Sequence, residues 1–102
     1  MRDTAVMLKA TLLAGAILLE NGAEIKRVED TMQRIATNAG HPDAQVFVLL
    51  TGITVSLPDD ATSEVRAIHN RSMDLEKVDQ VNTLSRQFAN HEIDLAEFFA
   101  AL

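Results

Sequence analysis

The sequence predicts an α+β domain: two N-terminal helices, a small antiparallel sheet of two or three strands, and two C-terminal helices. Three observations carry this. Residues 5–19 are nearly all Ala, Leu, Met, Ile and Val, and residues 25–35 then repeat apolar side chains at steps of three and four. Residues 45–57 change to β-branched and aromatic residues with alternation over Ile53, Val55 and Leu57. Beyond them, Asp74 and Asp94 each precede a further helical repeat.

Asp3 or Thr4 is placed to cap a first helix running to about Glu20. That helix is apolar on nearly every side, which means burial on several sides or an oligomer interface. Its internal charges, Lys9 and Glu20, stand about three turns apart and share one narrow stripe. Asn21-Gly22 makes a sharp corner. Either Gly22 closes the first helix at positive φ, or Asn21 caps the second with Glu24 as its capping-box partner. The second helix spans about Ala23 to Asn38, with Ile25, Val28, Met32 and Ile35 on its apolar face. Lys26–Asp30 and Asp30–Arg34 are expected ion pairs on its wet side. Gly40 ends it, and Pro42 stops a restart.

Gly52 is either a corner between two strands or a bulge in one long strand. Pro58-Asp59-Asp60 signals a turn, and Glu64–Ile68 reads as the next strand. Asp74 caps a third helix whose buried stripe is Leu75, Val78, Val81, Leu84 and Phe88. Asp94 with Glu97 forms a capping-box pattern for a fourth, with Ile93 and Phe98 as its hydrophobic staple. Met7, Met32 and Met73 are assigned packing roles.

With 102 residues the chain fits a single domain, and its 4% aromatic content leaves an aliphatic core. The net charge of −6 opposes nucleic acid and anionic lipid, and nucleobase stacking has little material. Absence of cysteine removes disulfides, thiolate metal sites and a Cys nucleophile. His41, His69 and His91 are scattered without metal-ligand spacing, and no Gly-rich phosphate loop or Ser nucleophile elbow is present, so no metal or cofactor is expected. The densest ionisable cluster is Glu20, Glu24, Lys26, Arg27, Glu29, Asp30 and Arg34. Within it Glu20, Glu24 and Arg27 surround the first corner: their structural reading is a capping box plus a salt bridge to Arg27, and their functional reading is a ligand or partner site. Asn70-Arg71 ahead of the third helix is either a solvated turn or an anion grip.

Three segments, LLENGAEIKRVEDTMQRIA, FVLLTGITVSL and NRSMDLEKVDQVNTLSR, resemble in order the N-terminal soluble region of the threonine/serine exporter family of bacterial membrane transporters. The first carries Leu19, Glu20, Gly22, Ala23, Glu24, Arg27, Val28, Glu29 and Thr31. The second carries Thr51, Gly52 and Ile53, and the third Arg71, Leu75, Asn82, Leu84, Ser85 and Arg86. Leu50 stands where many members have Pro, and Ser72 where many have Gly. The resemblance implies a cytoplasmic accessory domain, residues 1–102, cut from a longer membrane protein at the cytoplasmic face of the cell membrane. It implies export of threonine, serine or related small carboxylates, and contact with a transmembrane domain of the same or a partner chain. On this reading Glu20, Asn21, Glu24, Arg27, Glu29, Thr51, Gly52, Arg71, Asn82 and Arg86 contact a partner or a small amino acid, and the apolar first helix serves a homo-oligomer. The rivals are a hydrolase-like domain with Glu20 or Glu24 as general base, and a ligand-free scaffold. A deep pocket with a desolvated carboxylate marks the first, a shallow charged seam marks docking, and a large two-fold apolar contact marks assembly.

Overall fold

The structure, a computed structural model, describes residues 2–102, with side chains from Thr4 onward. Its elements are α1 (Arg2–Glu20), α2 (Ile25–Asn38), β1 (Gln45–Leu49), β2 (Gly52–Leu57), β3 (Thr62–Ala67), α3 (Leu75–Ala89) and α4 (Leu95–Ala101), so the α+β order is as expected. The strands form an antiparallel sheet in the order β1-β2-β3, with a 3-10 turn at Pro58–Asp60 between the last two.

Helix α1 is the core. It touches α2, α3, α4, β2 and β3, and it buries Met7, Leu8, Ala10, Thr11, Leu12, Ala14, Ala16, Leu18 and Leu19. Only Ala5 and Lys9 are exposed along its described side chains, with Glu20 partly so, which is the expected narrow stripe. This chain's own elements cover most of its apolar surface, with Val6, Leu13 and Ile17 half-buried along the stripe. The helix already begins at Arg2, so Thr4 lies inside its first turn rather than capping it, and the Asp3 side chain lies outside the described residues. Against α2 the approach is as close as glycine permits: a Cβ on Gly15 would sit 2.4 Å from Met32 Sδ.

Both corners after α1 and α2 are closed by glycine. Gly22 has φ +100°, its N–H donates to the Leu19 carbonyl, and Ala23 N–H donates to the Leu18 carbonyl at 3.0 Å. Gly40 repeats the pattern at φ +95°, with His41 N–H on the Ala36 carbonyl. In each case two orphan carbonyls of the last turn are satisfied by a left-handed residue that only glycine adopts cheaply. This settles the Asn21 alternative. Asn21 turns back, its Nδ2 donating to the Ile17 carbonyl at 2.8 Å, and Glu24 starts α2 without a side-chain cap.

Gly52 is a strand corner rather than a bulge, since Leu49 pairs with Gly52 across the turn Leu50–Thr51. One sheet face packs Val48, Ile53, Val55 and Leu57 on the helices. The other is bare: Phe47, Leu49 and Val65 are 62%, 67% and 73% exposed. At the C-terminal end Asp94 and Glu97 make the capping box, and the fully buried Phe98 stacks on Phe88 with ring centroids 5.4 Å apart. Asp74 caps α3 by accepting from the Glu76 and Lys77 N–H groups. Two packing expectations fail, at Leu75 and Met73, and Leu84 of the expected stripe is only half-buried. Leu75 is exposed because it sits in the first turn, ahead of the contact with α1 and α2, and Ser85 is buried on the stripe that Val78, Val81 and Phe88 define. Met73 is 78% exposed, lying over Gly22 rather than in the core. Of the two expected ion pairs on α2, only Lys26–Asp30 forms, at 3.2 Å.

Candidate functional site

The ten residues singled out from the sequence fall into two groups on different sides of α2, with Glu29 lining neither. The first group is a corner. Arg71, in the segment leading to α3, donates through Nη1 to the Leu19 carbonyl at 3.4 Å and through Nη2 to the Leu50 carbonyl. Ser72 N–H donates to the Glu20 carbonyl at 2.6 Å, and Ile68 N–H to the Thr51 carbonyl at 3.0 Å. Thus Glu20, Thr51, Gly52 and Arg71 meet where the C-terminus of α1, the β1–β2 turn and the 68–74 segment converge. The guanidinium gives the Leu50 carbonyl a donor and the Leu19 carbonyl a second one beside the Gly22 N–H, and its charge suits the negative end of α1. Buried Asn21 completes this corner through its bond to Ile17.

The second group lines a groove of about 440 Å³ between α2 and α3: Glu24, Lys26, Arg27, Asp30, Thr31 and Arg34 from α2, Asn82 and Arg86 from α3. On α2, Arg27, Thr31 and Arg34 lie at steps of four and three and so share one face. On α3, Asn82 and Arg86 are one turn apart and face them. Four cationic side chains meet two acidic ones here, in a chain whose net charge is −6. Among the described residues the only ion pair is Lys26–Asp30, so Arg27, Arg34 and Arg86 have no acidic partner within 4.0 Å. Arg86 is steadied by its Nη2 donating to Thr83 Oγ1 at 3.2 Å. The salt bridge expected at Arg27 does not form among the described residues, and Glu24 is exposed.

Such an arrangement can take an anion. A guanidinium presents a planar fork of donors that matches a carboxylate, and three of them around one groove offer more than one bidentate seat. Glu24 supplies the one acidic group not already paired, and Asn82 and the buried Thr31 supply neutral polar contacts. Arg34, Lys26 and Asp30 had not been assigned to the site from the sequence. The signal was the seven-residue interval from Arg27 to Arg34, which puts both on one helix face.

A larger groove, about 660 Å³, runs along the α3–α4 junction, lined by Phe88, His91 and Asp94 among others. Two of its three acids are occupied, since Asp94 and Glu97 satisfy each other's backbone N–H groups in the capping box, and the third, Glu92, is exposed. No carboxylate is buried among the described residues, and no group of three His, Cys, Asp or Glu side chains converges there. The α2–α3 groove is a charged surface seam whose two acids, Glu24 and Asp30, are exposed.

A family model described as "putative threonine/serine exporter" matches residues 9–102, and the chain belongs to that family. Membership makes it a transport-related, membrane-associated protein rather than a member of an enzyme family. None of its described helices is long and apolar enough to cross a membrane. No curated protein and no solved structure matches the chain.

Proposed function

We propose that this chain is the cytoplasmic accessory domain of a threonine/serine exporter, and that its α2–α3 groove takes a small amino acid by its charged ends. The observation that carries this reading is the set of acid-free guanidiniums, Arg27, Arg34 and Arg86, around one groove of an acidic chain. The substrate carboxylate lies against two of them, the ammonium against Glu24, and the side-chain hydroxyl reaches Asn82 or Thr31. A volume of about 440 Å³ is ample for threonine or serine. The transmembrane domain of the same or a partner chain performs the transport, and the accessory domain reports or holds the cargo at the cytoplasmic face.

The test is threonine export from cells carrying the whole exporter with Arg27→Ala and Arg86→Ala together. The reading expects export to fall at unchanged protein level. Export equal to the parent at equal protein level overturns it.

A further inference from the structure

The edge of β3 is open, and its chemistry matches only one partner. Ile68 N–H donates to the Thr51 carbonyl, and the register continues through Gly52↔Ala67 and Ile53↔Arg66 without a bulge. Backbone groups alternate in direction along an antiparallel ladder, so Glu64 and Arg66 turn their N–H and C=O toward β2. Ser63, Val65 and Ala67 turn theirs to the free side. Among the described residues none of these three makes a backbone bond outside the ladder. No Pro or bulge blunts the edge, which ordinarily invites pairing with another chain. What guards it is charge: Glu64 and Arg66, both on the helix-facing side and both without an ion-pair partner.

We propose that a second copy of this chain pairs with the free edge of β3 through a two-fold antiparallel contact centred on Val65, joining two three-stranded sheets into one of six. In that register Val65 lies opposite Val65 of the partner copy, and Ser63 opposite Ala67, all with donors and acceptors facing across the seam. Glu64 then stands opposite Arg66 twice, at the non-hydrogen-bonded positions where side chains come closest. Sliding the pairing by two residues one way sets Glu64 against Glu64, and the other way Arg66 against Arg66. The charges thus reject foreign strands and the neighbouring registers while accepting this one. Beneath the edge lies a groove of about 360 Å³ lined by Leu12, Leu13 and Phe99 with Lys9, which the two-fold would face with its own copy. This inference stands apart from the α2–α3 groove, which is lined by other elements.

The test is sedimentation of the chain over a range of concentrations, with charge reversals. The parent is expected to dimerise. Arg66→Glu and Glu64→Arg each place like charges opposite at both symmetric positions, and each is expected to weaken the dimer on the order of tenfold or more. Mixing the two variants restores opposite charges at both positions, and so does the double variant E64R/R66E. Both are expected to return to the parent's dimerisation. If a single variant fails to fold, mixing the parent with the double variant still decides: a hetero-pair would set Glu against Glu and Arg against Arg, so each is expected to pair only with itself, and free exchange between the two overturns the register. A parent that stays monomeric into the millimolar range overturns the proposal. So do single variants that dimerise as well as the parent, or a mixture and double variant that do not recover.

Discussion

At the α1–α2 corner, Arg71 commits its guanidinium to the Leu19 and Leu50 carbonyls. In the groove between α2 and α3, Arg27, Arg34 and Arg86 commit theirs to no acid among the described residues. The same side-chain chemistry thus holds the fold together in one place and stands open in the other. The difference lies in what surrounds it. The corner is where a helix ends, a hairpin turns and an irregular segment passes, so backbone carbonyls lack ladder partners and attract the donor. The groove lies between two regular helices whose carbonyls are already bonded internally, so beyond the Arg86–Thr83 bond its three guanidiniums face solvent or a ligand. A cation's neighbours, rather than its presence in a motif, separate a structural role from a binding one.

Substitutions can sharpen this contrast. The largest effect is expected from Arg71→Ala, which removes two charge-assisted bonds and should cost about 2 kcal/mol in urea unfolding. Arg71→Lys, able to reach one carbonyl, should recover part of that. Gly22→Ala comes next at about 1 kcal/mol, since an L residue is strained at φ +100° and its Cβ would also press on Met73 Sδ at 2.8 Å. The groove should behave oppositely. Arg27→Ala, Arg34→Ala and Arg86→Ala are each expected to change stability by less than about 0.5 kcal/mol, as surface residues without partners do. A groove arginine costing as much as Arg71 in the same melts would erase the distinction. The smallest effect is Lys26→Ala, which loses one exposed i,i+4 pair of about 0.3 kcal/mol, and high salt should abolish even that.

Much of the fold was legible because its signals are local. The Asp94–Glu97 capping box, the Asp74 cap and the glycine closures at Gly22 and Gly40 are short-range chemistry, and each forms as read. The alternation of Ile53, Val55 and Leu57 placed the central strand. What the sequence left open or misjudged depends on contacts made by distant segments. Asn21 is the exception, two local options settled by an equally local bond, four residues back to the Ile17 carbonyl. Leu75 and Met73 were apolar at the right spacing yet lie beyond the contact surface of α3. The site was legible only as a collection. Glu24, Arg27, Asn82 and Arg86 share a groove because α2 packs on α3, while Glu20, Thr51, Gly52 and Arg71 share a corner because segment 68–74 crosses it. No spacing rule links residues 50 positions apart in sequence.

The account turns on the groove being open for a ligand and the corner being closed. Threonine titrated into the isotopically labelled chain, followed through backbone amide shifts, tests this directly. The account predicts saturating shifts at Thr31, Arg34, Asn82 and Arg86, weakened by added salt, with Gly22, Thr51 and Ser72 unmoved. Shifts confined to the corner, or none at any amide with millimolar threonine, would contradict it.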